Sequence, residues 1–142
     1  MANLTINTDG GARGNPGPAA LGVVINNEQG ELVEQFSRYL GITTNNQAEY
    51  QAVLSALEYL EEHEAQFAEV TAVSFLLDSE LVVRQLLRVY RVKDLELAGL
   101  FNRAVALIDR LPFTIRFSHV RREQNKLADK LVNIELDKQG MT

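Results

Sequence analysis

The chain has no cysteine, no tryptophan and only three prolines among its 142 residues. Without cysteine there are no disulfides and no thiolate-held metals. No run approaches the roughly 18 apolar residues of a membrane span. The start, "MANLTINTDGG", has no basic segment followed by an apolar one, so no signal peptide is expected. A cytoplasmic chain with no membrane association fits these absences. Basic charge is scarce in the first part: residues 1–83 hold two basic residues, Arg13 and Arg38, against twelve acids. Residues 84–142 reverse this, with twelve basic residues against seven acids, so a net charge of −5 conceals a basic half. The length suits one domain over residues 1–142, and no repeat, low-complexity segment or linker divides it.

What is present begins with "TDGGARGNPGPAALG", residues 8–22, where five glycines and two prolines follow a short alternating stretch. In "NLTINTD", Leu4 and Ile6 share one face, which predicts a strand. "LGVVINNEQGELVEQFSRYL" predicts two more strands around a turn at Asn26–Gly30, so the first three form an antiparallel meander. From Thr44 the period becomes helical, with Ala48, Ala52, Ala56 and Leu60 on one side and Thr44 or Asn45 as the cap. "VTAVSFLLD" predicts a strand buried on both faces. A short helix capped by Ser79 follows, then a helix with Leu97, Phe101, Ala104 and Ile108 in one stripe, stopped by Pro112. "FTIRFSHV" predicts a fifth strand. The last helix is capped by Asn125, with Leu127, Leu131 and Ile134 facing inward. The order βββ-α-β-α-α-β-α implies a mixed sheet flanked by helices, an α/β fold.

The glycine-rich stretch fails both phosphate-loop templates. No Gly-Lys occurs, and "ALGVVI" continues as a strand where the dinucleotide fingerprint needs a helix. A wide hairpin remains, with Asp9 at its base. Acids recur at comparable positions: Glu49 in the first turn of the first helix, Asp78 at the end of the fourth strand, Asp129 in the first turn or so of the last helix. Ligands of mixed α/β sheets gather at the carboxyl ends of parallel strands. If the first and fourth strands are neighbours, Asp9 and Asp78 lie side by side and repel unless a cation or proton intervenes. Oxygen-only ligands suit Mg²⁺ or Mn²⁺. Taken singly, each acid also reads as a helix-dipole partner, a cap or a turn former.

"TDGGARGNPGPAALGVVI", "TTNNQAEYQAVLSAL", "DSELVVRQL" and "HVRREQNKLADKLVN" together resemble type 1 ribonuclease H, in its compact archaeal and bacterial form. The motifs fall in the family's order over residues 8–133. The resemblance implies the ribonuclease H-like fold, a five-stranded mixed sheet with β1-β2-β3 antiparallel and β1/β4/β5 parallel. It implies endonucleolytic cleavage of the RNA strand of an RNA–DNA hybrid, leaving 5′-phosphate and 3′-hydroxyl ends. Asp9, Glu49, Asp78 and Asp129 match the family's metal-binding and catalytic carboxylates, with two Mg²⁺ ions, or Mn²⁺ in their place, and Asp9 bridging both. Gly10, Gly11 and Asn15 match positions near the RNA strand. Asn46 and Ser79 match sugar- or base-contacting positions, and Thr44 and Asn45 match a DNA-phosphate pocket.

Two departures qualify the match. The basic, tryptophan-containing insertion of larger members is missing, so grip on the hybrid passes to Arg84, Arg88, Arg91, Lys93, Arg121, Arg122, Lys126 and Lys130. Many members place an assisting histidine before the last acid. His119 has that spacing, but "RFSHVRREQN" reads as strand into turn, so Arg122 and Glu123 are favoured over His119 in the assisting role. The alternative reading is a non-catalytic or differently specific nucleic-acid-binding member of the superfamily. Nothing in the sequence marks an oligomer interface, and a monomer is the default.

Overall fold

Leu4, Ile6, Leu21, Val23 and Ile25 alternate along two strands and bury one continuous apolar face. These strands are β1 (Asn3–Ala12) and β2 (Gly17–Asn26), and β3 (Leu32–Thr43) completes the antiparallel meander. The structure, a computed structural model, describes residues 3–140, so both ends of the domain read over residues 1–142 lie outside the described residues. Three longer helices and one short one follow, interleaved with β4 (Ala72–Leu77) and β5 (Thr114–His119). They are α1 (Asn45–Glu62), α2 (Glu80–Leu86), α3 (Leu95–Arg110) and α4 (Lys126–Lys138). The sheet order is β3-β2-β1-β4-β5, with β4 parallel to both β1 and β5, the arrangement that the resemblance implies.

Helix α1 covers one face of the sheet, and α3 packs beside it. Ala48, Ala52, Ala56 and Leu60 are all buried there, and small residues let the helix lie close on the strands. Tyr50, Leu57 and Phe75 fill the same core, each burial stabilising by about 1.5–3 kcal/mol. Thr44 caps α1 by accepting from the Gln47 amide at 3.2 Å, and Ser79 caps α2 through the Val82 amide at 3.3 Å. His63, at the end of α1, stacks on Tyr59 with 4.0 Å between ring centres.

Helix α4 covers the opposite face, and its inward stripe differs from the expected one. Leu127 is 60 % exposed and Ile134 43 %, while Leu131 is half-buried. The buried positions are Ala128, Val132, Glu135 and Leu136. The first turn of α4 lies against β2, where a Cβ on Gly22 would fall 2.5 Å from the Ala128 carbonyl oxygen, and with Ala128 turned to the sheet the buried stripe starts one residue late.

The β-hairpin at the glycine-rich stretch is also longer than its pattern suggests. Parallel pairing of β1 with β4 stops at Thr8 opposite Leu77, because the chain leaves β4 there to enter α2. Antiparallel pairing with β2 continues from Asp9 opposite Gly22 to Ala12 opposite Ala19. Asp9 therefore lies within a strand on one side and at an open strand end on the other.

Candidate active site

That open end is where the acids meet. Asp78 follows the last residue of β4, and Asp9 follows the last β1 residue paired to it, so the two stand side by side. Glu49 reaches them from α1, one helical turn beyond its start, rather than from the first turn. Asp9, Glu49 and Asp78 each offer an oxygen, and these oxygens all lie within 4.8 Å of one another. Asp129, in the first turn of α4, stands at the rim of the same cleft, a cavity of about 450 Å³.

Burial makes this cluster expensive to ionise. Asp9 is 7 % exposed and Glu49 5 %. Desolvation pushes the Asp9 carboxyl up to about 7; the charges of Asp78 and Asp129 add to that, and the hydrogen bond from Glu49 opposes it. Burial also raises Glu49 well above the usual carboxylate range, helped by the charge of Asp9. Both carboxyls are raised, so without a cation the pair keeps a proton near neutral pH. One Glu49 oxygen accepts from the Gly10 amide at 2.6 Å, while the other, Oε2, is buried with no hydrogen-bond partner. A buried, unpaired carboxylate oxygen facing two more acids fits a divalent cation.

Gly10 has a task that the sequence does not reveal. A Cβ at this position would lie 2.2 Å from the Ala48 carbonyl carbon and 2.4 Å from the Glu49 nitrogen. Its missing side chain makes room for α1, its amide is engaged by Glu49, and the residue also lines the cleft. Gly10→Ala must push α1 off β1, and the expected cost is about 2–4 kcal/mol, read as a fall in the thermal midpoint. An unchanged midpoint would contradict this packing.

The remaining predicted residues divide between the cleft and its frame. Gly11, Asn45, Asn46 and Ser79 line the cleft. Asn15 and Asn45 lock the hairpin loop to α1: the Asn15 side chain accepts from the Asn45 amide at 2.9 Å, and the Asn45 side chain accepts from the Ala12 amide at 2.8 Å. Thr44 acts as the helix cap. Arg122 lines the cleft, 3.9 Å from Asp129, whereas His119 ends β5 in register with Leu77, exposed and outside the cleft lining. Glu123 is exposed in a short 3₁₀ turn and is not among the lining residues either.

Sequence reasoning missed the places of Arg13 and Asn133 at the cleft and the contacts of Asn125 with β1. Arg13 lines the cleft from the hairpin and pairs with Asp137 at 2.8 Å; its signal was its rarity, one of two basic residues in the first 83. Asn133 donates to the Asp129 carbonyl one turn back at 3.1 Å. Asn125, expected as a helix cap, makes no capping bond.

The fold and this cleft have known counterparts. The sequence matches the family model described as reverse transcriptase-like over residues 7–134. A type 1 ribonuclease H recovered from compost by a metagenomic approach, LC11-RNase H1, superposes with a TM-score of 0.91 at 45 % identity, covering 98 % of this chain and 99 % of that one. This chain belongs to the type 1 ribonuclease H family. Within the family, ribonuclease HI of Halobacterium salinarum is 37 % identical over 129 residues, 91 % of this chain and 62 % of that protein. A bifunctional protein of Mycobacterium tuberculosis is 34 % identical over 135 residues, 94 % of this chain but 35 % of its own length. The chain thus spans about a third of the mycobacterial relative. LC11-RNase H1 has also been solved in complex with an RNA/DNA hybrid, and that structure superposes at a TM-score of 0.91 with 43 % identity, covering 96 % of this chain and 98 % of that one. Among the described residues, no helix is long and apolar enough to cross a membrane.

Proposed function

We propose that this chain is a divalent-metal-dependent endonuclease that hydrolyses the RNA strand of RNA–DNA hybrids, leaving 5′-phosphate and 3′-hydroxyl ends. The observation that carries this reading is the set of three carboxylates whose oxygens lie within 4.8 Å of one another at the ends of two parallel strands. Family membership points the same way. Asp9, Glu49 and Asp78 would hold the metal, with Asp129 completing the set from the rim. The all-oxygen donors favour Mg²⁺, with Mn²⁺ as a substitute. When bound, two such ions supply the charge that activates an attacking water and stabilises the leaving 3′-oxygen.

The chain's own groups do the rest. Gly10 fixes Glu49 through its amide, and Asp78 is held at the start of α2 beside the Ser79 cap. Gly11, Asn46 and Ser79 present short polar or bare surface to the substrate strand. Arg122 sets a cation against the phosphate backbone at the cleft rim. The exposed Arg88, Arg91, Lys93, Lys126 and Lys130 extend the positive surface for the hybrid. With such a substrate the chain would act in the cytoplasm, as a monomer.

Incubating an end-labelled RNA–DNA hybrid with the chain and Mg²⁺, with and without chelator, tests the reading. RNA cleavage that stops on chelation is the expected result, and cleavage that persists in chelator would overturn it. In the same assay Arg122→Ala is expected to lower turnover by roughly 10-fold, more than His119→Ala or Glu123→Ala, because only Arg122 of the three lines the cleft. Loss confined to His119→Ala would contradict that assignment.

A further inference from the structure

Asn125 is 1 % exposed and sits where a helix cap belongs, yet its side chain turns away from α4. Its Oδ1 accepts from the Asn7 side chain at 2.9 Å, and its Nδ2 donates to the Thr8 carbonyl at 2.9 Å. Both bonds go to β1, and Thr8 immediately precedes Asp9. The Asn125 carbonyl accepts from the Asp129 amide at 3.1 Å. A single amide side chain therefore ties the strand carrying Asp9 to the helical turn carrying Asp129.

A second contact holds the same turn from the other side. Gly22 lies opposite Asp9 in the β1–β2 register. A Cβ on Gly22 would fall 2.5 Å from the Ala128 carbonyl oxygen. No other residue allows α4 to approach so closely, and Ala128 is the neighbour of Asp129. The two contacts are independent, and each ends one residue or less from an acid of the cleft. Only an asparagine suits the first. Aspartate would lack the donor for Thr8, glutamine would carry the amide one methylene too far, and an apolar residue would leave the Thr8 carbonyl without this bond.

We propose that Asn125, with Gly22, is a positioning residue that sets Asp129 at its working distance from Asp9, Glu49 and Asp78. The proposal rests on the reading that these four acids hold divalent metal. Groups that orient metal ligands without touching the metal commonly change its affinity by about 10–100-fold when removed.

The test compares the full chain with Asn125→Ala, Asn7→Ala, their double variant, Gly22→Ala and Leu107→Ala. Leu107→Ala opens a cavity under α3, remote from the cleft, and serves as the stability control. Each is titrated with Mn²⁺ alone by calorimetry, assayed for kcat and KM on the hybrid, and followed by hydrogen exchange at the Asp129 amide. Asn125→Ala is expected to weaken Mn²⁺ binding and lower kcat by about 10-fold each, with KM within about 2-fold and Asp129 exchange about 10-fold faster. Asn7→Ala gives a smaller effect, and the double variant is no worse than Asn125→Ala because both remove one linked contact. Gly22→Ala gives the same pattern from the β2 side. Leu107→Ala lowers the thermal midpoint but keeps wild-type metal affinity and kcat. Unchanged Mn²⁺ affinity in Asn125→Ala, or an equal loss in Leu107→Ala, overturns the proposal. If the wild-type chain takes up no Mn²⁺, the metal reading fails by itself. Exchange at Asp129 then decides the clamp: acceleration in Asn125→Ala supports it, and wild-type exchange overturns it.

Discussion

Asp9→Asn is expected to abolish hybrid cleavage, with kcat falling on the order of 10³-fold or more, while the protein becomes more stable. The two effects have one origin. Asp9 interacts with Glu49, Asp78 and Asp129 alike at the open strand end, so it is the acid that a cation held by the set would share with all the others. Removing one preorganised electrostatic group from such a site costs roughly 10²–10³ in rate, and Asp9 serves as the centre of the set. The same charge is buried and repelled by its neighbours, so the metal-free fold is relieved when an amide replaces it. Circular dichroism and turnover on one sample separate these outcomes. Loss of activity together with a lower thermal midpoint would show that Asp9 is structural.

The metal-free protein is expected to be more stable at pH 5 than at pH 8. Asp9 titrates near 3.9 when unfolded and at about 7 when folded, so the folded state binds more protons between those values. Its contribution is fully present below the unfolded value and is lost as pH rises through the folded one. Glu49 is raised too and acts in the same direction. Glu135, whose carboxyl is lowered chiefly by hydrogen bonds from Ser37 and Gln139 against the burial that raises it, works the opposite way, but only below about pH 4.5. Between pH 5 and pH 8 the raised pair therefore dominates, Asp9 alone contributing roughly 2–3 kcal/mol, or on the order of 5–10 °C in the midpoint. Mn²⁺ or Mg²⁺ is expected to restore stability at pH 8, since a ligand that binds only the folded state stabilises it. A midpoint that rises from pH 5 to pH 8 in chelator would contradict the burial of these acids.

Much of this site was legible before any coordinates. The run from Ala72 to Leu77 marked a strand buried on both faces, which placed Asp78 at its end, and the alternation of Leu4 and Ile6 placed Asp9. Their adjacency needed only the parallel pairing of β1 and β4. Three features resisted reading because each depends on what approaches from elsewhere in the chain. Gly10 matches a position near the RNA strand, and only the approach of α1 shows that a side chain there would also meet the helix backbone. Asn125 has the residue type and place of a cap, and only the position of β1 shows that its amide is engaged there. Leu127 and Ile134 fit a helical stripe as well as Ala128 and Val132 do. Hydropathy cannot weigh the close approach at Gly22 that favours the small residue.

The central claim concerns which nucleic acid is cut. Matched labelled substrates, an RNA–DNA hybrid, an RNA duplex and a DNA duplex of one sequence, incubated with this chain and Mg²⁺, test it most directly. Cleavage of the RNA strand of the hybrid alone, yielding 5′-phosphate ends, is the result predicted. Equal cutting of all three, or cutting of the DNA strand, would contradict it.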